Sequence, residues 1–542
     1  MDLFRKHNLT LFFLLPTLVY CMFFHRLGAT ALLDYDEPRY AESAREMIEL
    51  RSWLIPYFNY EARLNKPIFF YWLMISAYKT LGVSEFSARI WSAIAGCLGV
   101  GLTYVFGKRV FNHGVGLAAA LILASTALYA VMARAATTDM VLSLFITASL
   151  MSFFLHYRHQ GDRNRYFLIC ILSLALGTLT KGPVGAILPA LIIIAFLLLT
   201  GNLMNIRKGA LFRGSLLFMA ITLPWYIYAY CFVFSASGNI NALAFDETIG
   251  RFFGGYGHPH PVYYYIPVLL GTFFPWSFFL PLSFKHLVAA GWQKRMDEQP
   301  ELLFIFLWFA GIFLFFSLCR CKLASYLLPI APPLALLVGN IWHRYLTERD
   351  DYTVLNGMKR TLLTLAVSLL VVGCAGLIVV FVRFRSLLFP GLIPCALFIS
   401  SGIILAKTDC AGKRWRLFFA MAAVIGFFFM LCIHLVSPQL EEWRSTKSFF
   451  FGADGIEDTG ALFNYGRIYP SSVFYSRKHV KRIKSREQML DFFESKQQQF
   501  CFISKSNLSK LDKDFHTTFT VLKENKALLL ITNTSPALRD PT

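Results

Sequence analysis

Asp34, Asp36 and Glu37 crowd into one short run, Asp34-Tyr-Asp36-Glu37-Pro38-Arg39-Tyr40-Ala41-Glu42. A carboxylate among cations can take a proton from an acceptor hydroxyl as a general base. Asn65-Lys66-Pro67 leads into Ile68-Phe-Phe-Tyr71-Trp72, and Asp139 ends Ala136-Thr-Thr-Asp139 just after Arg134. Lys181 lies in Thr180-Lys181-Gly182-Pro183, Lys322 precedes Leu323-Ala-Ser-Tyr326, and His258-Pro-His260-Pro261 precedes three tyrosines. A phosphate carried on a lipid needs such a mixture. Lys, Arg and Tyr donors meet its charge, apolar grooves its tail, and carboxylates with aromatics an attached sugar. Blander roles compete at each position. Asp36, Glu37 and Asp139 can be helix-start acids, and Lys66 a snorkelling cation beside Tyr71 and Trp72.

The elements that position these residues belong to a membrane. Of 542 residues, 56% are hydrophobic, 54 are Phe and 15% are charged. The apolar residues gather in blocks of roughly 17–25, the length that crosses about 30 Å of hydrocarbon. About thirteen spans are expected, near 9–27, 86–107, 114–133, 138–157, 166–180, 183–200, 211–233, 262–284, 301–318, 323–342, 361–382, 387–406 and 415–435. The net charge of +20 raises a nucleic-acid reading. Its Lys and Arg, however, sit in short links on alternate sides instead of on one face, so no nucleic-acid partner is expected. With a cytoplasmic N-terminus, about 21 Lys and Arg fall on inner links and about 6 on short outer ones. This is the pattern of a multi-pass protein of a bacterial inner membrane, with the candidate residues on its outer, periplasmic face. The first block is too long for a cleaved signal and reads as a retained anchor.

Two outer loops, 28–85 and 234–261, interrupt a membrane unit of residues 1–435. In the first, Glu37, Glu42, Arg45 and Glu46 recur at helical spacing around Pro38. A helix lying along the membrane surface is expected, bringing Asp36 and Glu37 to the bilayer edge. From 436 to 542 the composition becomes that of a soluble α/β domain. Strands are expected at Arg467-Ile-Tyr-Pro, Phe500-Cys-Phe-Ile and Ala527-Leu-Leu-Leu-Ile-Thr, with a Ser-capped helix over 485–496. Most of the eleven cysteines lie inside apolar blocks, and Cys319 and Cys321 by themselves imply neither a disulfide nor a metal site.

Asp36-Glu-Pro-Arg-Tyr-Ala-Glu42, Glu46-Met47, Trp53-x-x-Pro56, Lys66-Pro67, Tyr71-Trp72 and Arg89 together resemble the GT-C superfamily of glycosyltransferases. Thr180-Lys181-Gly182, His258-x-x-Pro261-x-x-Tyr264-Tyr265-x-Pro267 and Lys322-Leu-x-x-Tyr326 continue the pattern in order over roughly residues 10–340. The branch resembled is that of the bacterial aminoarabinose (ArnT-like) lipid A transferases, related to protein O-mannosyltransferases. The resemblance implies a polytopic α-helical GT-C fold with a C-terminal periplasmic α/β domain. It also implies inverting transfer of a sugar from a polyprenyl (undecaprenyl) phosphate to lipid A or another periplasmic acceptor, with no cofactor required for the chemistry. By position, Asp36 matches the family's essential first-loop aspartate and Asp139 its second acidic site. Lys66, Arg39 and Tyr326 match donor-phosphate residues, with Lys322 beside them; Glu37, Lys181, His258 and His260 are further candidates.

Three positions depart from the pattern. Asn65 stands where the zinc-binding family member carries an acid, so only His258 of that site is kept, which argues against a bound divalent metal. Arg63 replaces a tyrosine and Pro259 an arginine of the aminoarabinose transferases, which leaves the sugar open. Two other functions stand beside this one: a protein O-glycosyltransferase of the same fold, and a lipid or sugar transporter. A transporter would place polar residues at mid-membrane in paired broken helices, whereas here the charges cluster at the outer ends.

Overall fold

The structure, a computed structural model, describes residues 13–158, 163–203, 208–237, 258–289, 298–348, 351–383, 388–407, 410–451, 460–509 and 519–533. Among these, seven helices are long and apolar enough to cross a membrane. They are Glu85–Val110, Thr138–Tyr157, Gly209–Val233, Pro300–Leu318, Ala324–Thr347, Tyr352–Ile378 and Arg414–Leu435. Two bent pairs raise the number to nine: His113–Ala124 with Ala127–Ala133 at 67°, and Val262–Thr272 with Trp276–Val288 at 111°. Phe13–Phe24, Val184–Leu199 and Cys395–Leu405 are shorter apolar helices, and Arg163–Lys181 occupies the remaining block. Every expected apolar block is thus helical, but not every block is an uninterrupted crossing.

The bends have local causes. Ser125 and Thr126 donate their hydroxyls back to the carbonyls of Leu121 (2.7 Å) and Ile122 (2.8 Å), and the Thr126 amide turns to the Leu123 carbonyl (3.2 Å) instead of continuing the helical ladder to Ile122. At the second bend Pro275 supplies no N–H. Elsewhere glycines let helices touch. A Cβ on Gly116 would lie 2.5 Å from the Tyr104 carbonyl oxygen, and one on Gly185 would lie 2.3 Å from the Gly177 carbonyl carbon. Close backbone approach at small residues is how helices associate where lipid removes the hydrophobic drive.

The expected first-loop helix is present as Asp36–Glu49, but its acids do not form a solvated face. It packs against the Phe69–Leu81 helix, the hairpin Tyr57–Phe58 with Glu61–Ala62, and the Pro470–Ser476 helix of the tail. Glu42 and Glu46 are therefore fully buried. Glu42 takes a two-pronged bond from Arg45 at 2.8 and 2.7 Å. Glu46 accepts the amides of Asn59 (2.8 Å) and Tyr60 (2.9 Å), and burial pushes its carboxyl up to about 8.

The tail folds as a five-stranded sheet in the order Val480–Ile483, Ala461–Tyr465, Gln499–Ser504, Leu528–Thr532, Thr520–Glu524. The first three strands run parallel, and the last two pair antiparallel. The Phe500 and Ala527 runs are strands as expected, and Ser485 caps the Arg486–Glu494 helix by accepting from the Gln488 amide at 3.3 Å. Arg467-Ile-Tyr-Pro is not a strand. It is the turn leading into the Pro470–Ser476 helix, whose first residue is a proline that suits a helix start. The tail is pinned to the first loop through Asp34, whose carboxylate accepts the Ser471 amide (2.8 Å) and hydroxyl (2.6 Å). Asn59 pairs with both backbone groups of Val480, at 2.9 and 2.8 Å, as a further strand residue would.

Candidate active site

Asp36 and Glu37 are neighbours with opposite surroundings. Glu37 is buried and receives Arg89 at both oxygens (2.8 Å each), together with the amides of Ala136 (2.8 Å) and Leu33 (3.0 Å). Arg89 is buried too and donates further to the carbonyls of Leu27, Thr30 and Ala31. Burial opposes the charge on Glu37, but Arg89 and the two amides more than offset it, holding the carboxyl below its ordinary range. Every lone-pair direction of Glu37 is occupied, which makes it a lock between the first loop and the start of the Thr138–Tyr157 helix. Asp36 is exposed and makes no hydrogen bond or ion pair among the described residues.

By locking that helix start, Glu37 also fixes Asp139, which stands in its first turn. Asp139 is paired with Lys181, brought from the C-terminal end of the Arg163–Lys181 helix. The same ammonium lies 4.9 Å from the centre of the Tyr326 ring, and Tyr326 packs against Phe316 with ring centres 5.0 Å apart and planes tilted by 32°. Three candidates from three separated stretches of sequence, Asp139, Lys181 and Tyr326, thus form one half-buried cluster.

Tyr40 joins this cluster to Asp36. Its hydroxyl is buried, and burial first, then Tyr71, Asp36 and Asp139, hold its ionisation far above the usual tyrosine range. Both carboxylates therefore lie within electrostatic reach of one hydroxyl. Arg63 lies 5.1 Å from the centre of the Tyr40 ring and donates to the Tyr71 hydroxyl at 2.9 Å. Arg39 is partly buried; burial and the nearby Arg63 lower its pKa, against the pull of Asp36 and Asp34. Tyr40, Arg63 and Tyr71 had no assigned role in the sequence. Tyr40 had a readable signal, since it stands four residues after Asp36 and shares its helix face.

Lys66 is half-buried in the turn before the Phe69–Leu81 helix. Lys322 is turned inward: it is 2% exposed, and its ammonium donates to the carbonyls of His260 (3.1 Å) and Cys319. Its amide also bonds the His258 carbonyl at 3.0 Å, and Pro259 bridges Cys321. Lys322 therefore ties down the His258–His260 segment. His258 and His260 are exposed, and His260 stacks on Tyr264 at 4.2 Å. The rest of the second loop, 238–257, lies outside the described residues. Among the described residues no group of three or more His, Cys, Asp or Glu side chains is placed to hold a metal.

Residues 8–237 match the family of dolichyl-phosphate-mannose-protein mannosyltransferases. The chain is 29% identical over 433 residues to an uncharacterised protein of Aquifex aeolicus, covering 80% of this chain and 79% of that one. It is 26% identical over 481 residues to an undecaprenyl phosphate-alpha-4-amino-4-deoxy-L-arabinose arabinosyl transferase of Wigglesworthia glossinidia brevipalpis, covering 88% and 77%. A crystal structure of ArnT from Cupriavidus metallidurans bound to undecaprenyl phosphate superimposes with a TM-score of 0.78 at 20% identity, over 98% of this chain and 99% of that one. The fold is the GT-C fold. Within it, the Asp36–Glu49 helix of the first loop packs against the Pro470–Ser476 helix of the tail.

Proposed function

We propose that the chain is a membrane glycosyltransferase that moves a sugar from a polyprenyl (undecaprenyl) phosphate to lipid A, with aminoarabinose or a related sugar as cargo. The observation that carries the reading is the exposed, unbonded carboxylate of Asp36 beside the Tyr40–Arg63 and Asp139–Lys181–Tyr326 clusters. Asp36 orients the acceptor oxygen and, where that oxygen carries a proton, removes it. The oxygen attacks the anomeric carbon from the face opposite the phosphate, the carbon–oxygen bond to the phosphate breaks, and the electron pair leaves with polyprenyl phosphate. Lys66 and the Lys181–Tyr326 pair meet the charge that develops on that leaving group, the kind of electrostatic help that dominates such steps. Asp139 holds Lys181 in place, and Lys322 shapes the loop that carries His258 and His260.

Two features support a periplasmic site: the excess of Lys and Arg on the alternate links, and the clustering of the candidates at one end of the helices. The N-terminus is then cytoplasmic, residues 1–435 form the membrane unit, and 436–542 form a periplasmic domain. Purified protein incubated with undecaprenyl-phosphate sugars and lipid A, with products read by mass spectrometry, tests the reading. One added sugar on lipid A, lost in Asp36→Asn, is expected. Unchanged turnover in folded Asp36→Asn would sink the role given to Asp36.

A further inference from the structure

Arg467 reaches the site from the tail. Its guanidinium lies 4.5 Å from the centre of the Tyr35 ring and 5.4 Å from that of Tyr469. Arg39 lies 5.9 Å from the same Tyr35 ring, so the two guanidinium groups are no more than about 10 Å apart. Tyr35 is the residue immediately before Asp36. Among the described residues neither arginine makes a hydrogen bond or an ion pair through its side chain. Asp34, the adjacent acid, is buried and committed to Ser471.

The placement of Arg467 is built into the backbone. Gly466 adopts a left-handed φ of +79° and donates its amide to the Ile483 carbonyl at 2.9 Å, while the Arg467 amide bonds Tyr465 at 3.0 Å. Four residues on, Ser471 is fixed by Asp34. A tight turn anchored on both sides therefore presents an exposed cation at the mouth of the site. Two guanidinium groups held over one ring, neither of them in an ion pair, suit an anion, and a guanidinium fork fits phosphate oxygens.

We propose that Arg467 and Arg39 form a subsite for a phosphate of the acceptor lipid, so that the tail takes part in choosing the acceptor. The subsite is on the water side of Asp36 and on an element outside the membrane helices, where an acceptor approaches. The leaving phosphate of the donor has its own cations at Lys66 and Lys181. The assignment rests on the glycosyltransferase reading for its reaction but not for its binding.

The test pairs kinetics with binding in the full-length protein. Arg467→Ala should raise the KM for phosphorylated lipid A about tenfold, the loss of one charge-assisted contact, with the donor KM and kcat within twofold of wild type. Arg467→Lys should recover part of the loss. In nanodiscs, Arg467→Ala should bind phosphorylated lipid A about tenfold more weakly and bind lipid A stripped of its phosphates as wild type does. An unchanged acceptor KM and unchanged binding overturn the proposal, and a rise confined to the donor KM reassigns the cation to the leaving group. Should wild type turn over no acceptor, the functional reading fails while the binding arm still decides the subsite.

Discussion

Exchanging either of two consecutive acids for its amide should give opposite phenotypes. Glu37→Gln removes the charge that faces Arg89 and leaves one acceptor oxygen where two received four bonds. Arg89 stays 3% exposed with its carbonyl partners but without a counter-ion. Breaking one side of a buried pair costs about 3–5 kcal/mol, and the retained amide oxygen puts this case near the lower end. Asp36→Asn alters an exposed, unbonded side chain, for which about 0.5 kcal/mol is the usual ceiling. In detergent-purified protein, Glu37→Gln should lose several degrees in Tm, and its turnover should fall only with the folded fraction. Asp36→Asn should keep its Tm and lose turnover per folded molecule. The pH dependence has a definite sign. The folded pKa of Glu37 lies below its ordinary value of 4.5, so its contribution is complete above about 4.5 and fades as pH falls through the lower folded value. The advantage of wild type over Glu37→Gln should therefore be flat through neutral pH and shrink only in acid. Wild-type melting in Glu37→Gln, or lowered melting in Asp36→Asn, would refute the division of labour between them.

Asp34 should behave in the reverse sense, because burial raises its carboxyl to about 6 despite the Ser471 bonds. Its contribution is fullest below the ordinary value of 3.8 and is lost as pH rises through 6, so wild type should gain about 2 kcal/mol on Asp34→Asn between pH 7 and pH 4, read from paired melts. Asp139→Asn and Lys181→Met should each lower kcat at least about tenfold, and the double variant should be no worse than the poorer single one, since the pair acts as a unit. Additive losses would separate them. Gly116→Ala should lower the yield of folded protein, because its Cβ would meet backbone atoms of the neighbouring helix at 2.5 and 2.7 Å; a normal size-exclusion profile and Tm would show that the helices can part.

Helical blocks were readable because lipid demands long apolar runs, and no other constraint on a chain writes itself so plainly. The Asp36–Glu49 helix was readable for a similar reason, through the spacing of Glu42, Arg45 and Glu46. What that spacing hid was the environment, since acids at helical intervals usually face water, and here the tail and a hairpin cover them. The same limit applied to Lys322. A cation before Leu323-Ala-Ser-Tyr326 signals a phosphate ligand, but only the fold reveals two carbonyls already waiting for it. Asp139, Lys181 and Tyr326 were each picked out singly, and their union needed three helix ends to meet. Arg467 gave no signal, because the ring it meets is more than 400 residues away in sequence.

That separation has a consequence for how the chain is made. Asp34 and its partner Ser471 are 437 residues apart. At ribosomal speeds of about 5–20 residues per second, the first loop emerges roughly 20–90 seconds before the segment that will cover it. During that wait the Asp36–Glu49 helix lacks the Pro470–Ser476 helix against which it packs, and Asn59 has no strand edge to meet. Closure over the loop therefore waits on the tail, and a ribosome that stalls before Ser471 leaves the Asp36–Glu49 helix without the helix it packs against and Asp34 without its partner.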